Sequence, residues 1–141
     1  MSLSDHLRYL RALAGGTHTI EIAEAIGLDK VSPVNLAEVQ YRPVRDPQLV
    51  EKLAAYYQRP LTEFQWHNAR PRKYLTFYVA RALREGTPVS LTLRSEEVVE
   101  GMVTWWDLST VGVEDANGRL RVIQRHAVVD WPGAAVEWED V

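Results

Sequence analysis

Cysteine is absent from the 141-residue sequence, and so are long apolar runs. Without cysteine there are no disulfides, thiol nucleophiles or thiolate metal sites, and the histidines are too scattered to suggest a ligand cluster. We therefore expect no metal and no cofactor. No segment approaches the ~20 apolar residues that span a bilayer, and the N-terminus lacks the basic-then-apolar order of a signal peptide. These absences predict a soluble, cytoplasmic protein.

Charge is nearly balanced, with 16 basic and 19 acidic side chains and a net charge of −3. This balance argues against a protein that binds nucleic acid over its whole surface. Four acidic and no basic residues fall in the last fifteen positions, so residues 134–141 are predicted to be an acidic, solvated tail. No glycine-rich phosphate loop, paired catalytic carboxylates or Ser-His-Asp order occurs, and we expect no enzymatic activity.

The apolar residues of the first half repeat with a helical period. A leucine stripe from Leu3 to Leu10 marks the first helix. The stretch "TIEIAEAIGL" predicts a second helix whose inner face carries Ile20, Ala23 and Ile26 and which ends at Gly27. Together these patterns favour short, closely spaced helices.

Two further helices have clear start signals. Ser32 is predicted to be an N-cap with Pro33 at the first helical position, and Asp46 with Pro47 repeats the arrangement. A short helix, "LTEFQW", closes the series. Residues 1–68 are therefore predicted to form an all-α domain.

The order of these signals over residues 5–66, from "LRYLRALAGG" through "SPVNLAEVQYRPVRDP", resembles the XRE-type helix-turn-helix domain, a lambda-repressor-like fold. In that fold the third helix enters the major groove of DNA. Glu38 is expected to face outward, where DNA phosphates would repel it. The alternative is a helical module for dimerisation or protein contact. The DNA contacts that the resemblance implies are Thr19, Lys30, Ser32, Asn35, Arg42 and Arg45.

The second half begins with one more helix and continues as strands. Leu75, Val79 and Leu83 mark the inner face of a helix that ends near Gly86. Five strands are predicted at "VSLTLR", "VVEGMVTWW", "TVGVED", "RLRVIQ" and "AVVDW".

Within the predicted strands, Gly101 marks a sharp bend, and Asn117-Gly118 is a hairpin signal. Trp105 and Trp106 are expected to lie on opposite sides of their strand, with one of them buried in the core or a subunit interface. The chain is thus predicted to be α+β with two domains.

The helix and strands, at residues 72–132, resemble the Hfq branch of the Sm-like RNA-binding family. Its most telling residues are Pro88-Val89, Gly101, Trp106-Asp107 and Arg125-His126-Ala127. The resemblance implies an Sm-like domain over residues 69–133, built as a helix and a bent five-stranded β-barrel. It further implies a homo-oligomeric ring, a hexamer in this family, that binds uridine-rich single-stranded RNA at its pore.

The resemblance also assigns candidate RNA contacts. Ser109 stands where the family has a base-stacking aromatic, and an acidic turn at Ser95–Glu97 replaces the turn that helps to read adenine-rich strands. Uridine-rich RNA is therefore the expected preference. The implied contacts are Asp107, Leu108, Ser109, Gln124, Arg125 and His126 on the pore face, and Arg72, Lys73, Arg81 and Arg84 on the rim.

The sequence thus predicts a bacterial nucleic-acid-binding regulator with RNA as its partner, DNA as a possible second partner, and no membrane. The alternative is a structural Sm-like oligomer whose helical domain binds protein without nucleic acid. Both interpretations predict a ring, because the fourth and fifth strands would otherwise be unpaired edges.

Overall fold

The computed structural model describes residues 1–135. Most of the predicted acidic tail, 134–141, lies outside that range. The helices of the described chain are α1 Leu3–Leu13, α2 Thr19–Ala25, α3 Ser32–Val39, α4 Pro47–Tyr56, α5 Leu61–Asn68 and α6 Arg72–Glu85. The strands are β1 Pro88–Leu93, β2 Val98–Trp106, β3 Thr110–Glu114, β4 Leu120–Gln124 and β5 Val128–Asp130. None of the helices within residues 1–135 is long and apolar enough to cross a membrane.

Two separate hydrophobic clusters divide the described chain. One joins buried residues of α1 to α5, from Leu3 to Phe64, and the other joins α6 to the sheet, from Leu75 to Ala134. We call α1–α5 the helical unit and α6 with β1–β5 the sheet unit. Each unit thus has its own core.

Several predicted helix ends are confirmed. The Asp46 side chain accepts a hydrogen bond from the Gln48 backbone N–H, as expected of an N-cap before Pro47. Gly27 and Gly86 follow α2 and α6 with φ of +81° and +67°, a left-handed conformation that glycine adopts without strain. These residues fix where the helices stop.

Other local predictions were wrong by about one position. Ser32 is the first residue of α3, and Val31 occupies the cap without a side-chain hydrogen bond. Ile20 is 55% exposed, whereas Ile22 is buried. Likewise Leu83 is exposed, and Ala82 takes its place against the core. A small error in helical phase moves a side chain to the wrong face because each residue turns the helix by ~100°.

The five strands form one antiparallel sheet in the order β4-β3-β2-β1-β5. The predicted barrel is not closed, because β4 and β5 do not pair with each other and form the two edges. The hairpin between β3 and β4 turns at Asp115–Gly118, as the Asn-Gly signal predicts. An open sheet leaves two strands with unpaired backbone groups.

β2 and β3 approach each other closely at Gly101. A Cβ atom at this position would lie 2.2 Å from the Glu114 carbonyl oxygen of β3. Only glycine allows the two backbones to approach so closely. The glycine at which a bend is predicted is therefore required by a close backbone contact that excludes any side chain.

Candidate nucleic-acid interface

A single turn of 3-10 helix, Arg125–Ala127, joins β4 to β5, and we call residues 124–127 the corner. The Arg125 backbone N–H donates to the Ser109 carbonyl oxygen at 2.8 Å. This bond holds the corner against the loop 107–109 between β2 and β3. The structure therefore brings together the two segments in which pore-face residues are predicted.

The side chain of Asp107 organises the loop 107–109. Its Oδ1 accepts hydrogen bonds from the backbone N–H groups of Thr110, at 2.7 Å, and Ser109, at 2.8 Å. The bond from Thr110, followed by the bond from Ser109, holds the pKa of the Asp107 carboxyl below its ordinary value, because both stabilise the charged form. The loop therefore presents an ionised carboxylate and the exposed side chain of Leu108.

Arg125 is 2% exposed, which differs from the expected pore-facing position. Its Nη1 donates to the Asp107 carbonyl oxygen at 2.6 Å, and its Nη2 donates to the Thr76 hydroxyl on α6. Burial lowers the pKa of the Arg125 guanidinium, while the nearby Tyr41 hydroxyl opposes that change. In this conformation Arg125 connects the corner, the loop and α6, and its charge is not accessible to a ligand.

The remaining corner side chains face solvent. Gln124 and His126 are both exposed, as are Leu108 and Ser109 in the adjoining loop. A hydrogen bond joins the two segments, and we call these four exposed side chains the patch.

The four rim residues lie along α6 but have different surroundings. Arg72 reaches the patch, because its Nη2 donates to the Leu108 carbonyl oxygen at 3.0 Å. Lys73 lies over the rings of Tyr74 and Phe77. Arg84 and Arg81 are exposed near the far end of the helix, where Arg81 pairs with Glu85 at 3.2 Å. Only the first turn of α6 is thus shown in contact with the loop 107–109.

The turn between β1 and β2, Ser95–Glu97, is acidic and tightly held. Glu96 has a φ of +72°, and Glu97 forms an ion pair with Arg121 at 2.6 Å. Of the two tryptophans, Trp106 packs against the core of the sheet unit and Trp105 is exposed. The opposite faces expected for these two rings are therefore observed.

The residues predicted to contact DNA lie around α2 and α3. The Thr19 hydroxyl donates to Asn35 Oδ1 at 2.6 Å, which ties the start of α2 to α3. Glu38 does not face outward as expected, because it is 4% exposed and pairs with Arg11. Side chains of Leu36 and Val39 are exposed on the same helix. Lys30, Ser32, Arg42 and Arg45 are exposed nearby.

The helical unit packs beside the corner. Met1 donates from its nitrogen to the Val129 carbonyl oxygen of β5, and Arg70 pairs with Asp130 at 3.0 Å. The Arg94 guanidinium carbon lies 3.4 Å from the centroid of the Tyr9 ring. Sequence patterns gave no sign of this junction, since α1 was identified by its leucines alone.

The order of an α-helix and five antiparallel strands, with a tight turn joining the last two, is similar to that of Sm-like proteins. Residues 78–130 match the family model described as Hfq related. The matched segment covers all five strands and the second half of α6, and this part of the chain is Hfq-like. No curated protein matches the chain.

Proposed function

We propose that the chain is a regulator that binds single-stranded RNA through the patch formed by Gln124, His126, Leu108 and Ser109. The observation that carries the proposal is the 2.8 Å hydrogen bond from the Arg125 N–H to the Ser109 carbonyl oxygen. It fixes the corner beside the loop in the Hfq-like part of the chain. Exposed polar and apolar side chains on two hydrogen-bonded segments suit the splayed bases of a single strand.

Uridine-rich RNA is the proposed ligand, since the opposite face is poorly suited to adenine-rich strands. The β1–β2 turn carries Glu96 and Glu97, whose carboxylates repel phosphates. Thr92 of β1 stands where the Hfq family has an aromatic residue on that face, so it offers no ring on which adenine could stack. Affinity is expected to be modest, because Ser109 cannot stack on a base and loss of a stacking ring costs about 1–3 kcal/mol per base.

The experiment compares fluorescence anisotropy of short uridine-rich and adenine-rich RNA oligonucleotides on wild type and His126→Ala. The wild type should prefer the uridine-rich strand, and the substitution should weaken binding several-fold. His18→Ala is a matched control, because His18 is also exposed but lies in the helical unit. Equal binding of both oligonucleotides, or no effect of His126→Ala, would contradict the proposal.

We further propose that the chain assembles into a ring, for which the Hfq resemblance implies a hexamer, through its two edge strands. β4 exposes Leu120 and Val122, which are 54% and 60% accessible, on a strand that lacks a second neighbour. β5 of the next subunit is its natural partner, because pairing the two edges around a ring leaves none unpaired. Since Met1 bonds to Val129 on β5, this pairing requires Met1 to move aside.

A second candidate function assigns the helical unit to protein contact. Ile20, Leu36 and Val39 expose apolar side chains on α2 and α3, and such a surface favours a protein partner over DNA. DNA binding through Asn35 and the exposed Arg42 is the competing proposal. Wild type and Asn35→Ala/Arg42→Ala protein would be titrated with duplex DNA at about 50 mM salt, where phosphate contacts are strong. No binding by the wild type favours the protein partner.

A further inference from the structure

A cleft of about 490 Å³ lies between α1 and the corner. Its walls include Asp5, Arg8 and Tyr9 of α1, Arg94 of the β1–β2 turn, and His126 of the corner. The volume is within the range of ~300–1,000 Å³ that small-molecule sites occupy. The helical unit thus extends the exposed patch at His126 into a concave site made by both units.

The cleft has an excess of positive charge. Asp5 is its only carboxylate among the lining residues, and that carboxylate is shared by Arg8 and by Arg72, whose Nε lies 3.6 Å from Asp5 Oδ2. Arg94 has no carboxylate within ion-pair distance in the described part of the chain. The lining thus carries two guanidinium groups and one carboxylate, and the Arg72 guanidinium, which shares that carboxylate, adds a third positive charge, so the cleft favours an anion.

The guanidinium of Arg94 is also held in place. Its Cζ lies 3.4 Å from the centroid of the Tyr9 ring, and its Nη2 donates to the Met1 sulfur. A planar guanidinium fixed in this way can donate two hydrogen bonds to one phosphate without losing further side-chain entropy. Arg8 pairs with Asp5 through Nη2, but its side chain is 43% exposed, so its other N–H groups can approach a ligand from the other side.

We propose that this cleft binds a backbone phosphate and its nucleotide from a single RNA strand, with Arg8 and Arg94 on the phosphate and His126 at the entrance. The inference rests on the proposed RNA function and extends it to the helical unit. The strand then passes from the exposed corner into the junction between the units, and α1 contributes directly to RNA affinity.

The test measures binding of a fluorescein-labelled hexauridine RNA to full-length wild type, Arg8→Gln and Arg94→Gln over a range of salt concentrations. Each substitution should weaken binding about 3- to 10-fold and should reduce the slope of log affinity against log salt by about 0.7, as expected for one lost phosphate contact. Arg59→Gln is the matched control. Arg59 is 41% exposed, pairs with Glu63 of α5, and does not line the cleft.

Different failures have different meanings. If the wild type binds the RNA and both cleft variants match Arg59→Gln in affinity and slope, the cleft assignment is wrong and the RNA function stands. If the wild type does not bind the RNA, the RNA function fails and the inference fails with it. If the protein binds inorganic phosphate at millimolar concentration while the RNA stays bound at constant ionic strength, the cleft holds free phosphate, and its assignment to an RNA strand is overturned. Thermal unfolding of each variant ensures that only folded protein is compared.

Discussion

Arg11 and Glu38 form a bidentate ion pair that joins α1 to α3. Arg11 Nε lies 3.0 Å and 2.9 Å from the two carboxylate oxygens, and Nη2 lies 2.9 Å from Oε1. The bonds to Glu38 raise the pKa of Arg11 above its ordinary value, even though burial opposes this change. The pair therefore fixes the angle between two helices of the helical unit.

Replacement of Glu38 by alanine should destabilise the protein by about 2–4 kcal/mol, because the Arg11 guanidinium would lose its buried partner. Urea unfolding followed by circular dichroism measures the loss. Glu51→Ala, which removes an exposed carboxylate from α4, should change stability by less than about 0.5 kcal/mol. Equal effects of the two substitutions would show that the ion pair adds nothing.

Replacement of Arg125 by alanine should also lower the free energy of unfolding, by about 2–4 kcal/mol, since the Asp107 carbonyl and the Thr76 hydroxyl would lose a buried donor. Arg119→Ala is the control, because Arg119 is exposed in the neighbouring hairpin. The same urea unfolding measurement applies. A stability equal to that of wild type would mean that the buried bonds of Arg125 are dispensable.

Stability should fall as the pH is lowered below about 6.5. His6 and His67 stack with ring centroids 3.8 Å apart. Burial lowers the pKa of both histidines, and that of His67 falls to about 3. For His6, the hydrogen bond to Glu63 opposes this lowering only in part. Below the ordinary value of 6.5 the unfolded chain therefore binds protons that the folded chain does not. Each histidine should lower the free energy of unfolding by up to ~1.4 kcal/mol per pH unit between pH 6.5 and its folded-state pKa.

Unfolding in urea at pH 7.5 and at pH 5 checks this pH dependence. His67→Asn keeps a donor for the Met1 carbonyl oxygen but cannot be protonated, so its stability should vary less with pH. His18→Asn changes an exposed histidine and should leave the pH dependence of wild type intact. A wild-type stability that is constant over this range would refute the prediction.

Assembly should depend on the β4 edge. Two lysines in the variant Leu120→Lys/Val122→Lys would introduce charge at the strand pairing and should reduce the mass in light scattering to that of one chain. Val39→Lys is the control, because it charges an exposed apolar residue of the helical unit. If Val39→Lys dissociates the protein and the double variant does not, the helical unit carries the assembly.

The secondary structure could be predicted because its signals are local. The Asp46-Pro47 start of α4 and the glycine ends of α2 and α6 each depend on two or three neighbouring residues. The alternation of Val89, Leu91 and Leu93 with polar residues likewise marked β1. Such signals need no knowledge of the rest of the chain.

The burial of charged residues could not be predicted, because it depends on partners far away in the sequence. Glu38 pairs with Arg11, which is 27 residues away, and Arg125 donates a hydrogen bond to Thr76, which is 49 residues away. The cleft was missed for the same reason, since Tyr9 and Arg94 meet only when the two units pack together. Motifs therefore identified the corner but not which of its side chains faces solvent.

The Thr76 hydroxyl has consequences for how related sequences vary. It accepts hydrogen bonds from Arg125 and from the Tyr41 hydroxyl, and it donates to the Arg72 carbonyl oxygen at 3.3 Å. A change at any one of positions 41, 76 and 125 leaves a polar group of another without its partner. These three positions should therefore covary, and chains that lack a helical unit should be free of the constraint that Tyr41 places on the other two.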